Sequence, residues 1–400
     1  MGGGGRPVFW PRKSVCLFLG ALCAATFANQ AQAQRSGSPV PNKPQLGTLG
    51  ERINANTIAI VSGNPNATYM SIAYDMSAVL DDGDEFRILP VIGKGGGQNI
   101  KDVRFLKGID LGITQSNLLG TYKRSNEIGA IDDKIVYIAK LFNEEMHLIV
   151  RADSGINAIA DLAGKKVNFS DIGSGTQLST RDIFEKLGVA AQEVNMGQAD
   201  AFEALKRGEI AATILIAGKP AGSMGKLKAA DGFRILPVAY AKPLQTDYLP
   251  ATLTAKDYPN LIAEGGRVDT IAVPAVLAAY NWAPNTERYR KLAQFVDAFF
   301  TKFPTFQNPP FHPKWKEVSL SAPLPDWQRL PVAEQWLKTH NVEAVTRARF
   351  DEFLKQSPAT AATVKTDTDK EALFKQFQTW EAERNARGAQ ARVPGAPTQR

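Results

Sequence analysis

Residues 166–188, KVNFSDIGSGTQLSTRDIFEKLG, decide how the fold of this chain is interpreted. The segment opens with a β-prone run at 167–169, turns through 173–176 and then shows apolar residues at helical spacing. It therefore predicts a strand, a glycine-containing loop and a helix. The first N–H groups of a helix lack internal partners and carry partial positive charge, so such a loop can hold an anion. Alternatively, Ser174 or Thr176 only caps the helix and the glycines only turn the chain.

The same order of elements recurs along the chain, which predicts two similar lobes. Predicted strands lie at 57–62, 86–92, 111–114, 148–150, 167–169, 211–216 and 271–280. Predicted helices lie at 69–82, 100–106, 156–162, 178–187, 202–206, 289–300, 332–356 and 369–386. Strands that alternate with helices favour βαβ units. The expected fold class is α/β, a two-lobed periplasmic binding protein of type II-like organisation, each lobe a mostly parallel sheet flanked by helices, with a C-terminal helical extension.

In sheets of this kind, ligands bind beyond the carboxyl ends of the strands. The loops at those ends consist mainly of Gly, Ser, Thr, Asn and Gln, which offer neutral hydrogen bonds and close backbone approach rather than acid or base chemistry. The candidate ligand contacts in the first lobe are Asn66, Thr68, Tyr69, Lys94, Gly95, Gly96, Gln98, Asn99, Gln115 and Ser116. Those in the second lobe are Gly173, Ser174, Gly175, Thr176, Gln177, Ala217, Gly218 and Lys219.

The candidate contacts indicate the sign of the solute. They contain no carboxylate, and two lysines, Lys94 and Lys219, fall in loops at strand ends, one in each lobe. Together with free N–H groups at a helix start, these favour a small carboxylate, either a dicarboxylate or an acidic amino acid, over a neutral sugar. The alternative is that both lysines are solvated surface groups.

The first 33 residues have the composition of a cleaved secretory signal peptide. Three basic residues precede an apolar run at 15–27, and Ala31-Gln32-Ala33 offers a small-residue cleavage site. An uncleaved anchor is the alternative, but the run is shorter than the ~20 apolar residues that span a bilayer. Both cysteines, Cys16 and Cys23, lie in this peptide. We therefore expect a periplasmic protein without disulfides, whose formal charge falls from +7 to +4 on cleavage.

Composition shifts divide the rest of the chain. A segment at 303–331 is dense in proline and aromatic residues, and we call it the belt. Its rings are expected to anchor it on a lobe, although they could line a site. The predicted divisions are a signal peptide at 1–33, a flexible leader at 34–52, lobe 1 at 53–142, lobe 2 at 143–266, a lobe 1 return with the belt at 267–345, C-terminal helices at 346–386 and a disordered tail at 387–400.

Signatures of catalysis or metal binding do not occur in the sequence. The three histidines, His147, His312 and His340, lack zinc-site spacing, and the glycine loop at 93–98 lacks the third glycine of a dinucleotide fingerprint. Ser174 lacks the outer glycine of a nucleophile elbow. We expect no metal, no cofactor and no enzymatic activity. A secreted chain without a dense basic patch is not expected to bind nucleic acid.

Several short motifs in a fixed order carry a resemblance to a known family. They are Ala67-Thr68-Tyr69, 110–116, 147–151, 156–165, Gly173-Ser174-Gly175-Thr176, 202–205 with Gly208, Ala217-Gly218 with Pro220, and Val273-Pro274-Ala275. With these, the chain resembles the TAXI family of solute-binding proteins, the receptors of one branch of tripartite ATP-independent periplasmic (TRAP) transporters. The resemblance implies two lobes that close on a small, usually acidic, solute and deliver it to an ion-driven membrane permease.

Because one fold hosts many functions, three interpretations stay open. The first is a transport receptor, expected to be a monomer, that captures a small anionic solute for a TRAP-type permease. The second is a periplasmic binding protein that serves a sensor. The third is a secreted enzyme on the same fold.

Overall fold

A computed structural model of the protein describes residues 47–340 except 84, together with 346–347, 349–351, 353–354, 366 and 369–378. All of them belong to the unit Gly47–Arg400. The predicted signal peptide at 1–33, most of the leader and the tail at 387–400 lie outside the described residues. So does much of the predicted C-terminal helical segment at 346–386.

The regular elements alternate between strands and helices through most of the described chain. The strands are β1 (Thr57–Val61), β2 (Arg87–Val91), β3 (Leu111–Gln115), β4 (Ile135–Arg151), β5 (Lys166–Asn168), β6 (Gln192–Val194), β7 (Ala212–Ala217), β8 (Phe233–Leu236), β9 (Leu249–Thr254) and β10 (Arg267–Tyr280). The α-helices are α1 (Leu49–Ala55), α2 (Thr68–Leu80), α3 (Gly96–Phe105), α4 (Ser116–Ser125), α5 (Gly175–Lys186), α6 (Gln198–Lys206), α7 (Glu287–Phe306) and α8 (Pro331–Thr339). Residues 369–378 are also helical.

The ten strands form one mixed sheet in the order β2-β1-β3-β10-β4-β7-β5-β6, with β8 paired to β4 and β9 paired to β10. Strand β1 pairs in parallel with β2 and β3, and β5 pairs in parallel with β6 and β7. These two parallel groups define lobe 1 and lobe 2. The fold is the predicted α/β fold of the periplasmic-binding-protein type.

Two long antiparallel strands, β4 and β10, run through both lobes. In β10, residues 267–272 pair with β9 of lobe 2, and residues 275–279 pair with β3 of lobe 1. The pairing of β4 with β10 shifts register next to Pro274. The exchange between lobes therefore falls near Asn143 to Glu145 on β4 and near Pro274 on β10, after the return predicted at 267.

Each lobe has its own apolar core. In lobe 1, Phe142 of β4 is buried with Phe295 and Phe299 of α7. In lobe 2, Leu148 of β4 is buried with Phe184 of α5. Strand β4 contributes side chains to both cores and keeps the sheet continuous from one lobe to the other. The apolar contacts themselves remain largely within each lobe.

Several predicted boundaries were wrong for local reasons. The leader was predicted flexible to residue 52, but α1 begins at Leu49 because Thr48 and Glu51 form a capping box. The loop at 93–99 was predicted to precede a helix at 100, but Gly96 already begins α3. The strand at 148–150 is the end of the much longer β4. Helix α4 and strands β6, β8 and β9 were not predicted.

The belt packs on lobe 1 through its aromatic rings, as predicted. The Trp315 side chain is fully buried and stacks on Phe306 of α7 with 4.4 Å between ring centroids. Its Nε1 donates to Asp75 of α2 at 2.8 Å, and Trp327 Nε1 donates to the Ser116 carbonyl at 2.8 Å. Large rings bury much area, and their single N–H groups find acceptors.

A buried ammonium group fastens the belt to β4. Lys314 has only 1% of its side chain exposed, and its Nζ lies 2.7 Å from Glu145 Oε1 and 2.8 Å from Glu317 Oε1.

Among the described residues no helix is long and apolar enough to cross a membrane.

Removing this ammonium group should destabilise the protein strongly. Lys314→Ala leaves the Glu145 and Glu317 carboxylates without their cation, and breaking a buried pair typically costs about 3 to 5 kcal/mol. The measurement is urea unfolding of the purified protein. The control is Lys338→Ala, which removes a lysine that is 71% exposed and pairs, among the described residues, with Glu334 alone. A loss below about 1 kcal/mol for Lys314→Ala would contradict the proposed fastening.

Candidate functional site

A cavity of about 90 Å³ lies between the lobes, at the carboxyl ends of β1, β2, β3, β5 and β7. This inner cavity is lined by Gly63, Asn64, Ala67, Thr68, Tyr69, Lys94, Gly95, Gly96, Gln115, Glu144, Ser170, Asp171, Ser174, Gly175, Thr176, Gln198, Leu215, Ile216 and Ala217. Both lobes contribute, as the arrangement of strand ends predicts.

Four helices, α2, α3, α5 and α6, begin at this cavity. Their first residues all line it: Thr68, Gly96, Gly175 and Gln198. The first two N–H groups of each helix have no partner inside the helix. Within the described part of the chain they donate to no other acceptor. The caps Ala67 and Gly95 make no side-chain cap bond, whereas the Ser174 hydroxyl accepts from the Gln177 N–H. The cavity is therefore rich in unpaired donors and partial positive charge.

The lobes touch directly around the cavity, so the structure is closed. The Gln98 N–H donates to the Gly173 carbonyl at 2.9 Å, and the Ser179 hydroxyl donates to Gln115 Oε1 at 2.7 Å. A Cβ atom added to Gly175 would lie 2.8 Å from the Gln115 side chain. Glycine at this position therefore allows α5 to approach lobe 1.

Ten of the eighteen predicted contacts line the inner cavity. They are Thr68, Tyr69, Lys94, Gly95, Gly96, Gln115, Ser174, Gly175, Thr176 and Ala217. The other eight do not line it: Asn66, Gln98, Asn99, Ser116, Gly173, Gln177, Gly218 and Lys219. The structure thus brings both lobes to the cavity, mostly through the first residues of helices.

Several of the eight have structural partners instead. Asn99 Nδ2 donates at 2.7 Å to the carbonyls of Ser62 and Ile113, which ties the ends of β1 and β3 together. Gln177 Oε1 accepts from the Gly173 N–H, and its Nε2 donates to Glu193. These amides are bonded to the protein itself.

The two predicted lysines differ. The Lys219 ammonium donates to the Thr252 carbonyl at 2.5 Å and lies 3.4 Å from Asp257, so it is held within lobe 2. The prediction that it faces the cleft was wrong, because sequence position does not give side-chain direction. Lys94 lines the cavity, is exposed, and has no hydrogen bond or ion pair to another described residue.

A carboxyl group that is absent from the predicted contacts lines the site. Glu144 of β4 lines the inner cavity with 3% of its surface exposed. Its Oε2 accepts from the Tyr69 hydroxyl at 2.6 Å and from Gln115 Nε2 at 3.0 Å. The candidate contacts, which contain no carboxylate, therefore omitted an acidic residue that lines the cleft. Glu144 was overlooked because it lies inside the crossing strand rather than in a loop at a strand end.

Burial controls the charge of Glu144. Loss of hydration raises the pKa of its carboxyl from 4.5 to about 8, although the hydrogen bonds from Tyr69 and Gln115 favour the ionised form. The group is therefore mostly protonated and uncharged at neutral pH. A second carboxylate, Asp171, also lines the cavity and is partly exposed.

Ser170 is another lining residue that sequence reasoning missed. It is buried and has a φ of 72°, in the left-handed region that a serine seldom adopts. Its N–H donates to Asn168 Oδ1 and its carbonyl accepts from Asn195 Nδ2, so lobe 2 holds the strained conformation in place. Nothing in the local sequence signals this conformation.

The described histidines and acidic residues do not form a metal site: in that part of the chain no group of three or more potential ligands is placed to hold an ion. His147, at the crossing between lobes, is fully buried and bonds to the Tyr258 hydroxyl at 2.7 Å. Burial lowers the pKa of His147 to about 4, so it is neutral. It is a core residue.

An outer cavity of about 600 Å³ adjoins the inner one. The two share Asn64, Ala67, Thr68, Gln198, Leu215 and Ala217 as lining residues. The outer cavity adds apolar groups from Pro65 and Phe202. A solute can therefore place one end in the inner cavity and extend into the outer one.

The family model described as the NMT1-like family matches residues 60–323, which include most of both lobes and every residue of the inner cavity. The chain belongs to the NMT1-like family. Members are of the periplasmic binding-protein type, which agrees with the strand order and the two crossing strands seen here. At this level the match agrees with the resemblance seen in the sequence.

The solved structures to which this chain is similar include several binding proteins and a regulatory domain. The alkanesulfonate-binding protein SsuA from Xanthomonas axonopodis pv. citri, bound to MOPS, is 15% identical over 62% of this chain and 74% of that chain, with a TM-score of 0.39. SsuA from Escherichia coli is 19% identical over 71% and 78%, with a TM-score of 0.36. The periplasmic binding protein BugD is 16% identical over 75% and 97%, with a TM-score of 0.45.

The raised pKa of Glu144 gives a ligand-free prediction about stability. The protonated form stabilises the fold fully below about pH 4.5, and this contribution is lost as the pH rises to about 8, the folded-state pKa. Glu144→Gln has no proton to lose. Wild type should therefore lose stability relative to Glu144→Gln by up to roughly 1.4 kcal/mol per pH unit in that window.

Chemical unfolding of both proteins between pH 5 and pH 9 measures this difference. The control is Glu185→Gln on α5, where the glutamate is exposed. A difference between wild type and Glu144→Gln that stays constant over the whole pH range would contradict the assigned protonation state.

Proposed function

We propose that the protein is an extracytoplasmic receptor that captures a small carboxylate between its two lobes and delivers it to a membrane permease. The observation that carries this proposal is the meeting of four helix N-termini, those of α2, α3, α5 and α6, at one small cavity between the lobes. Unpaired N–H groups at helix starts bind anions. Because the donors come from both lobes, capture of an anion would hold the lobes together.

The charges around the inner cavity support an anion. Lys94 supplies a free cation, and Glu144 is mostly uncharged at neutral pH because burial raises its pKa. Asp171 is the one lining carboxylate that opposes an anion, and it is partly exposed to solvent. The proposal therefore rests on the N–H groups and Lys94 rather than on the two lysines predicted from the sequence.

The volumes bear on the size of the solute. The inner cavity of about 90 Å³ accommodates one carboxylate group, and the adjoining outer cavity of about 600 Å³ has room for the rest of the solute. Such an arrangement suits a dicarboxylate or an acidic amino acid, whose second polar end could extend from the inner cavity.

Three further parts of the proposal rest on the family and on the resemblance. Membership of a family of binding proteins supports a receptor that releases its solute unchanged rather than an enzyme. The family type and the composition of residues 1–33 support a periplasmic location. The TAXI-like motifs listed from the sequence support a TRAP-type permease as the partner.

A thermal-shift screen at pH 7 tests the proposed solute class. Succinate and L-glutamate should raise the melting temperature, because a ligand that binds only the folded state stabilises it, whereas glucose and galactose should not. Sodium chloride at matched ionic strength controls for screening of surface charge. Lys94→Met should reduce the shift, and Lys107→Met, which removes an exposed lysine outside the cavity, should leave it unchanged.

Stabilisation by the neutral sugars without stabilisation by either carboxylate would contradict the proposal. Conversion of a carboxylate to a new product during incubation, followed by mass spectrometry, would favour an enzyme instead.

A further inference from the structure

Glu144 has one carboxyl oxygen fully engaged and one free. Oε2 accepts two hydrogen bonds, from Tyr69 and Gln115. Oε1 has no partner among the described residues, and it remains partly accessible to solvent. Since Glu144 lines the inner cavity, Oε1 is the oxygen left to meet a solute.

Titratable groups of several elements lie around Glu144. Tyr69 of α2 is an uncharged donor, because burial raises the pKa of its phenol well above 10. Lys94 and Asp171, one from each lobe, line the same cavity with opposite charges. On the belt side, Lys314 is shared by Glu145 and Glu317. The Lys219 ammonium is bound within lobe 2. None of these cations makes an ion pair with Glu144.

An ionised Glu144 would therefore face a bound carboxylate across a small, enclosed cavity. Two like charges at such close range disfavour ionisation of one of them. A protonated Glu144 instead offers an O–H donor to the solute oxygen, and hydrogen bonds to charged acceptors are among the strong ones. Where Glu144 is ionised before binding, its carboxylate takes a proton from a solvent or buffer acid and forms an O–H bond, and no bond within the solute breaks.

We propose that Glu144 donates its carboxyl proton in a hydrogen bond to the solute carboxylate, so that capture of the anion takes up a proton. This inference rests on the proposed carboxylate ligand. It assigns a specificity-determining role to a residue of the crossing strand β4. A solute with an ammonium group placed at Oε1 would have the opposite effect, because a cation favours the ionised carboxylate and would release a proton.

Calorimetric titration at pH 8 distinguishes these cases. Succinate, which has no ammonium group, is titrated into the protein in buffers of different ionisation enthalpy, so that the dependence of the heat on the buffer gives the number of protons transferred. Because the pKa of Glu144 in the unliganded protein is about 8, half of the molecules are ionised at pH 8, and we expect uptake of up to about half a proton per succinate bound. Above pH 8 the affinity should fall by up to tenfold per pH unit.

Two variants assign the proton to Glu144. Glu144→Gln keeps a donor without a titratable proton, so the transfer should vanish and the affinity should become independent of pH between 7 and 9. Glu185→Gln, which removes an exposed carboxylate of α5 outside the cavity, should keep the wild-type uptake. Circular dichroism shows whether each variant is folded, and the wild-type measurement stands without them.

The outcomes separate the two proposals. Succinate binding with no proton transfer, or with proton release, overturns the role of Glu144 and leaves the carboxylate receptor standing. If L-glutamate binds with proton release and succinate does not bind, the role of Glu144 is likewise overturned and the carboxylate receptor stands. If neither succinate nor L-glutamate binds, the proposed function fails and this inference fails with it. An undiminished proton uptake in Glu144→Gln also overturns the inference.

Discussion

The pairing of β4 with β10 is the constraint on which the rest of the structure depends. These two strands belong to both lobes, so the cores on either side can form separately while the cleft between them stays in register. Side chains alternate along a strand. At the crossing this alternation directs Glu144 into the inner cavity and Glu145 towards Lys314 of the belt. Strand β4 thus supplies Glu144 to the inner cavity and, through Glu145, fastens the belt.

The electrostatics of the cavity follow from this arrangement. Helix starts from both lobes supply N–H donors, and glycine at 96 and 175 allows the two lobes to approach closely. A charged carboxylate at Glu144 would offset that positive potential. Burial prevents this by raising the pKa of Glu144, while Tyr69 and Gln115 donate hydrogen bonds to one of its two carboxyl oxygens. The same burial that costs the ionised form its hydration therefore prevents Glu144 from adding a negative charge to the cavity at neutral pH.

The sequence predicted the parts of the site that local patterns determine. Glycine and hydroxyl residues between a strand and a helix located the starts of α2, α3 and α5, because backbone geometry at such junctions restricts residue choice. Glu144 was not predictable in this way, since a strand interior gives no sign of which side chain will reach a cavity. Lys219 and Asn99 show the complementary error: both lie in the right segments, but tertiary contacts direct their side chains to protein acceptors.

The central claim is that a carboxylate holds the two lobes closed. Small-angle X-ray scattering of the protein with and without saturating succinate tests it most directly. We predict a smaller radius of gyration with succinate for wild type and for Gly225→Ala, where an added methyl meets no atom within 4 Å. Gly175→Ala should compact less, because its methyl would meet the Gln115 side chain across the cleft. Identical dimensions of wild type with and without bound succinate would contradict the account.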